Sequence, residues 1–260
     1  MVIGLNPGYG KHALAVAVAV PACLLAKHVW DVYTHIQPAE KRLIFASGDI
    51  SDKLRQSHTI KNLVNPRGHV SVGNTQFMDL RVPGAASNVT DEVLLAAFVR
   101  GFFAGKVLSI ERWVLQIARL NLVSYDSLVT NDPPNQIWKT SDLSHDSLPP
   151  PRSILFGTFQ VGHVEIHQPD QSTKAQAETE SNIDILFGSG SDKSQFSGVH
   201  RFSIARSPAR PEIVRVIYED IACNPTRNQA LMPKLLLQFH KIYAKLLFRE
   251  GVAEIMRNLK

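Results

Sequence analysis

Alternation of hydrophobic and polar residues, the period of a strand with one buried face, is concentrated in the second half of the chain. The alternating stretches are separated by turns rich in glycine or proline, and they predict four strands. These strands cover residues 154–167, 183–187, 198–205 and 213–223. Residues 58–82 also have extended character, with turns predicted at residues 65–68 and 73–74.

Two other stretches have the spacing of helices. Thr90 is a suitable N-cap for the first. Gly101 and Gly105 predict that this helix ends or kinks between them, and Ser109 can restart it. The chain closes with a long helix predicted over residues 232–259, whose apolar face consists of Leu236, Phe239, His240, Tyr243, Leu246 and Leu247.

The order of these elements predicts an α+β fold in which a curved antiparallel sheet wraps around the long C-terminal helix. One helix cannot cover the whole concave face, so we expect an enclosed apolar cavity. Residues 41–260 would form this single ligand-cavity domain, and residues 1–40 an N-terminal apolar helical extension. Residues 131–152, with five prolines, predict a surface loop, and residues 169–181 a mobile hairpin tip.

The N-terminal extension contains an apolar run at residues 13–26. A membrane-spanning helix needs roughly 20 residues, and Pro21 interrupts this shorter run. The basic region and cleavage site of a signal peptide are missing from its flanks. The favoured interpretation is a helix buried against the domain, and the alternative is an interfacial helix that makes peripheral contact with a membrane.

Composition and charge narrow the class of protein. Apolar residues make up 44% of the chain and charged residues 20%, as in globular proteins. The two cysteines, Cys23 and Cys223, fit a reducing compartment, so we expect a cytoplasmic location. Although the net charge is +5, the basic residues are scattered rather than clustered with aromatic residues, and no nucleic-acid partner is expected.

The sequence lacks the motifs of the common cofactor-binding and nucleophilic sites. Neither a phosphate-binding glycine loop nor a Gly-x-Ser-x-Gly elbow is present, so no nucleotide cofactor is expected. His163, Glu165 and His167 share one strand face and are the best metal candidates. No fourth ligand is evident, and a solvent-facing strand has the same alternation, so a metal is disfavoured.

Periodicity also nominates polar residues for the cavity. His200 shares a strand face with Phe202 and Ile204. It is either a hydrogen-bond donor to a ligand or a structural histidine bonded internally. On the C-terminal helix, His240 and Tyr243 are adjacent on one face. They reach a ligand if that face roofs the cavity, and are otherwise core side chains.

In the last strand, Tyr218 and Glu219 point to opposite faces, and either could line the cavity. A carboxylate there would have a raised pKa and could act as a general acid or base. The alternative for Glu219 is a cross-strand ion pair with Arg201 or Arg206.

Two segments resemble a known superfamily. They are FGSGS at residues 187–191 with GVHRFSI at 198–204, and YEDIACNP at 218–225 followed by the terminal helix. This order resembles the START-like (SRPBCC, helix-grip) superfamily and is closest to a poorly characterised branch from bacteria and plants. Residues 98–120 and 239–252 are also similar to uncharacterised proteins of fungal secondary-metabolite gene clusters. The resemblance covers residues 40–258 and implies a cavity under the C-terminal helix, which in the superfamily binds lipids, steroids and polyketides, with some members acting as cyclases.

We therefore expect a cofactor-independent cyclase or isomerase, specifically an intramolecular Diels–Alderase, whose partner is a hydrophobic terpenoid or polyketide substrate of secondary metabolism. A shaped pocket holds a flexible chain ready to react, and a donor polarises its carbonyl. The candidate donors are His200, Tyr218, His240 and Tyr243. The candidate substrate-binding residues are Phe102, Phe103, Trp113, Phe187, Phe202, Glu219 and Phe239. The alternatives are a non-catalytic lipid or metabolite carrier and an assembly protein that uses the N-terminal apolar segment.

Overall fold

The computed structural model describes residues 7–82, 89–167, 178–190, 194–231 and 233–260, with side chains from residue 22 onward except at Asp126 and Lys234. The helices are α1 Pro7–Ile36, α2 Asp52–Arg55, α3 Asp91–Ala104, α4 Ser109–Ala118 and α5 Lys234–Asn258. The strands are β1 Phe45–Ser47, β2 Ser71–Arg81, β3 Gln136–Ile137, β4 Ile154–Leu155, β5 Phe159–Glu165, β6 Thr179–Gly188, β7 Ser197–Arg206 and β8 Ile213–Cys223.

The fold is α+β, with a curved, open sheet of eight strands and a C-terminal helix. The strand order is β1-β2-β8-β7-β6-β5-β4-β3, and every pairing is antiparallel except that of β3 with β4. The long strands β2, β6, β7 and β8 form the middle of the sheet. The sequence predicted β7 and β8 to within a residue or two, because their alternation is uninterrupted.

Other strand predictions were wrong in their boundaries. Residues 59–64 form a helical turn, so the extended structure begins only at Ser71. The predicted turn at residues 73–74 lies inside β2, where Gly73 pairs with Ile221. A Cβ on Gly73 would approach Ile50 Cγ2 to 2.8 Å, so close packing rather than a turn explains this glycine.

The strand predicted over residues 154–167 is divided into β4 and β5. Phe156 and Gly157 have positive φ angles of 51° and 68° and turn the chain between the two strands. Of the hairpin tip predicted over residues 169–181, residues 169–177 lie outside the described residues. Residues 179–181 belong to β6 rather than to a loop.

The helical predictions around α3 are confirmed. The Thr90 side chain accepts a hydrogen bond from the Val93 amide, and α3 ends at Ala104, before Gly105. Helix α4 begins at Ser109 as expected. The Glu250 carboxylate of α5 accepts hydrogen bonds from two backbone amides just after Gly105 and so fixes the α3–α4 turn.

Helix α3 lies on the same face of the sheet as the C-terminal helix, which the sequence pattern did not indicate. The ring of Phe98 on α3 meets Phe202 on β7 edge-on, 5.1 Å between centroids, and also meets Phe248 on α5. A Cβ on Gly251 would lie 2.4 Å from the Phe98 ring, so a glycine is needed for the approach of α5 to α3. Both helices therefore cover the concave face.

Some of the apolar residues predicted to be buried are exposed, at the start of α5 and in the described part of the N-terminal apolar run. The first half of α5 presents Leu236 and Phe239 to solvent, and continuous burial starts only near Ala244. In α1, residues 22–26 are exposed, whereas Ile36 at its end is buried in the core. Residues 13–21 of the predicted run lie outside the described side chains. Among the described residues no single helix has both the length and the apolarity to cross a membrane, although α3 and α4, bent by 76°, meet both criteria as a pair.

Candidate ligand-binding site

An apolar pocket of about 440 Å³ lies between the concave face of the sheet, α3 and the middle of α5. All four side chains predicted as hydrogen-bond donors line it: His200, Tyr218, His240 and Tyr243. They come from β7, β8 and α5, so the fold brings together residues that are up to 43 positions apart, from 200 to 243. Alternation along the strands and the helical spacing in α5 predicted which residues share a face, but the sequence left open whether the faces of Tyr218 and of His240 and Tyr243 line the cavity.

The predicted aromatic walls divide into three groups. Phe102 and Phe187 line the pocket. Phe103 and Phe202 are buried behind it, with their ring centroids 5.8 Å apart. The others, Trp113 and Phe239, are 62% and 65% exposed and do not line the pocket, so the prediction that they form its wall was wrong. Their helices turn these apolar positions away from the core.

Glu219 also lies outside the pocket, on the opposite face of β8 from Tyr218. Its carboxylate accepts hydrogen bonds from the Ser51 amide and hydroxyl and from the Thr75 hydroxyl. The alternative for Glu219, an ion pair with Arg201 or Arg206, is not formed either. Arg201 binds Asp184 through two hydrogen bonds, and Arg206 binds Asp91.

His200 and Tyr218 form a buried pair at the base of the pocket. The Tyr218 hydroxyl lies 2.8 Å from His200 Nδ1. Burial, with a smaller contribution from the charge of His240, lowers the pKa of His200 to about 3, and burial raises the pKa of Tyr218. Both side chains are therefore neutral near pH 7. Their mutual hydrogen bond uses one of their two protons, so the other, on His200 Nε2 or on the hydroxyl, remains for a ligand.

His240 has a carboxylate neighbour that sequence reasoning did not select. Its Nε2 lies 3.5 Å from Asp220 Oδ2, and Asp220 is buried, with its other oxygen accepting a hydrogen bond from Asn74. Asp220 lies two residues after Tyr218 and therefore on the same face of β8, and this alternation is the sequence signal that could have identified it. The pairing itself required knowledge of where α5 crosses β8. An imidazole oriented by a buried carboxylate can take or give a proton.

Tyr243 is placed at the pocket as predicted, but its proton is already engaged. Its hydroxyl donates to Glu111 Oε1 on α4 at 2.8 Å. Burial and this hydrogen bond raise the pKa of the Tyr243 phenol. The hydroxyl oxygen can therefore accept a hydrogen bond from a ligand, whereas the predicted role was that of a donor.

Most of the remaining pocket lining is apolar, and apart from Leu247 it was not predicted. Phe159 of β5 packs 4.9 Å from Phe103 and 6.0 Å from His200, between ring centroids. Leu108, Leu122, Phe196 and Leu247 complete the apolar lining. Apart from Leu247, which belongs to α5, these residues come from segments with no sequence feature that relates them to β7, β8 or α5.

A second cleft, of about 510 Å³, lies between α1, α3 and α4 and is polar. Both arginines of the cleft are engaged within the protein. Arg100 donates to the carbonyls of Thr140 and Leu143, and Arg112 donates to those of Phe103 and Gly105. This cleft is therefore a weaker candidate than the apolar pocket.

His163 of β5 and His167, just beyond this strand, do not form a metal-binding cluster. His163 and His167 each contact Glu165, at 4.0 Å and 3.4 Å, and all three side chains are about half exposed. Glu165 also accepts a hydrogen bond from Asn182. Within the described parts of the chain, no three His, Cys, Asp or Glu side chains are grouped so as to hold a metal ion.

The depressed pKa of His200 predicts a specific acid sensitivity. The unfolded chain binds a proton at this residue below about pH 6.5, while the folded chain does so only near pH 3. The stability is therefore complete above pH 6.5 and is lost as the pH falls toward 3, by at most about 1.4 kcal/mol per pH unit from this residue. Urea unfolding of the wild type and of His200→Phe between pH 4 and 7 measures the difference in slope. Parallel curves for the two proteins would contradict the assignment.

Comparison of the chain with protein-family models, with curated proteins and with solved structures found no match.

Proposed function

We propose that this protein is a cofactor-independent cyclase or isomerase that acts on a hydrophobic terpenoid or polyketide intermediate. One observation carries the proposal: His200, Tyr218, His240 and Tyr243 converge on a single apolar pocket of about 440 Å³. An apolar chamber with a few convergent polar groups is the usual form of a small-molecule site. The apolar wall would take the carbon skeleton, and the polar groups would fix its orientation.

The reaction that best suits this arrangement is an intramolecular cycloaddition. Two carbon–carbon σ bonds form as two π bonds are consumed, with no atom gained or lost and no redox partner. The pocket would hold the chain with its reacting carbons close together, an effect worth up to roughly 7–11 kcal/mol in ideal cases. The unused proton of the His200–Tyr218 pair would bind a carbonyl conjugated to the acceptor double bond and draw electron density from it.

His240 and Asp220 extend this chemistry to isomerisation by proton transfer. His240 would remove a proton beside a carbonyl bound at the His200–Tyr218 pair and return it at another carbon. Asp220, 3.5 Å from His240, would stabilise the imidazolium between these steps. The proton is conserved, and the product has the mass of the substrate.

We further propose that the sheet and α5 form a helix-grip arrangement, as in the START-like superfamily, and that the pocket is enclosed when it is occupied. The position of the pocket beneath α5 supports this view, since Tyr243, Ala244 and Leu247 all contribute to its wall. The proposed substrate class, polyketides and terpenoids, rests on the resemblance of residues 98–120 and 239–252 to proteins of fungal secondary-metabolite gene clusters.

A non-catalytic carrier is the second candidate. It is favoured by the His200–Tyr218 hydrogen bond, because this contact already occupies one of the two protons of the pair without a ligand. A carrier would use the same apolar wall and release its cargo unchanged.

Deletion of the gene in its source organism, with metabolite profiling by mass spectrometry, tests the proposal. Loss of one product together with accumulation of an isomer of identical mass is expected. Accumulation of a compound of different mass would point to hydrolysis, dehydration or redox chemistry and would overturn the proposal. An unchanged profile would favour the carrier.

A further inference from the structure

Helix α4 has an apolar face that does not contact the protein core. Ile110, Trp113, Val114 and Ile117 follow helical spacing, and each is between 52% and 64% exposed. The opposite side of α4 is fixed to the protein: Gln116 donates to the Trp138 carbonyl, and Leu115 packs against the core. The orientation of α4 is thus determined, and its apolar face is held toward solvent.

The first half of α5 has a second face of this kind. Leu235, Leu236, Phe239 and Ile242 are between 52% and 84% exposed. Water-soluble monomers rarely expose apolar patches of this extent unless the patch contacts something. Packing in the protein core therefore does not explain why these positions of α4 and α5 are apolar.

The two faces meet at the mouth of the ligand pocket. The Phe239 ring is parallel to that of Tyr243, 6.3 Å between centroids, and the Tyr243 hydroxyl donates to Glu111 of α4. Tyr243 lines the pocket, as does Leu122, which is exposed just beyond α4. An apolar molecule leaving the pocket would pass directly onto this surface.

The charge around this surface is positive. Residues 221–249 contain five Lys or Arg and no Asp or Glu. Lys241 and Lys245 of α5 form no ion pair with any described residue. Arg119, at the end of α4, stacks on the Trp138 ring, with its guanidinium carbon 4.9 Å from the ring centroid. The one carboxylate of α4, Glu111, is engaged by Tyr243.

We propose that the exposed faces of α4 and of the first half of α5 form a docking surface for an anionic lipid bilayer. Apolar side chains that include a tryptophan, bordered by basic residues such as Lys241 and Lys245, are the features of an interfacial membrane contact. A second copy of the chain fits less well, because a symmetric contact would bring the same positive charges together and close the pocket mouth. The bilayer would then supply or receive an apolar ligand without its transfer through water. The docking itself does not depend on the chemistry in the pocket.

Vesicle sedimentation of the full chain tests the proposal. We expect binding to vesicles of phosphatidylcholine mixed with phosphatidylserine, much weaker binding to phosphatidylcholine alone, and weakening by salt. Trp113→Ser/Ile117→Ser and Leu235→Ser/Ile242→Ser should each lower the partition coefficient by at least about tenfold. Lys241→Glu/Lys245→Glu should weaken binding to the anionic vesicles selectively.

The matched control is Val70→Ser/Val129→Ser, which replaces exposed apolar residues outside α4 and α5 and should bind like the wild type. The proposal would be overturned if Trp113→Ser/Ile117→Ser and Leu235→Ser/Ile242→Ser bound vesicles as well as the wild type does. That result would indicate that the exposed residues of α1 make the contact instead.

A failure of the wild type to bind either vesicle would also overturn the proposal. So would a dimer, seen by light scattering, that the Trp113→Ser/Ile117→Ser change dissociates. Thermal unfolding of each variant would establish that the fold is retained, as is expected for exposed positions.

Discussion

Removing both members of the His200–Tyr218 pair is expected to slow the reaction in the pocket by about 10²–10³-fold, the cost of losing a preorganised donor to a developing negative charge. The double variant His200→Phe/Tyr218→Phe removes every proton that the pair can give to a ligand. Either single change leaves one donor in place, so we expect a smaller loss from each. The rate of isomer formation by the purified variants measures these effects.

The double change should cost little stability, because two polar partners are replaced together by apolar groups of similar shape. His163→Phe is the matched control, since His163 is half exposed on β5 and does not line the pocket. Its turnover should equal that of the wild type. Wild-type turnover by the double variant would show that the pair does not act on the substrate.

Replacing Arg201 with methionine is expected to reduce the free energy of unfolding by about 3–5 kcal/mol. Arg201 and Asp184 are cross-strand neighbours on β7 and β6, joined by two hydrogen bonds, with side chains 4% and 0% exposed. The variant leaves the Asp184 carboxylate in the interior with only the Thr59 hydroxyl as a side-chain partner. Chemical denaturation measures the loss.

The chain contains a matched control for this change. Arg215 and Asp79 are also cross-strand neighbours with two hydrogen bonds, but their side chains are 40% and 29% exposed. Arg215→Met should therefore cost no more than about 1 kcal/mol. Replacing both Arg201 and Asp184 by apolar residues should recover much of the loss. Similar costs at the two sites would contradict a role for burial.

The candidate site was predictable where the relevant information is local. Strand alternation determines that His200 and Tyr218 share the concave face and that Glu219 does not, once the identity of the buried face is known. The sequence left that last choice open, because β8 is apolar on both faces: Val214 and Val216 are buried on one side and Ile221 on the other. In the structure the face of β8 that carries Ile221 packs on residues 50–64, so the face that carries Tyr218 is the one that lines the pocket.

The sequence was least informative where an apolar helical face has no assigned neighbour. Trp113 and Phe239 follow amphipathic spacing, which identifies a face but not what covers it. Spacing alone could not distinguish a face that packs on the sheet, as in α3, from one left exposed, as in α4. The contacts of His240 with Asp220 and of Tyr243 with Glu111 depend on how α5 crosses β8 and α4, and so they could not be predicted from local pattern.

Incubating the purified protein with the compound that accumulates in the deletion strain tests the central claim most directly. The proposal predicts conversion to an isomer of identical mass, at a rate that falls by about 10²–10³-fold in His200→Phe/Tyr218→Phe. Recovery of the compound unchanged from a stable complex with the protein would contradict catalysis and identify the pocket as that of a carrier.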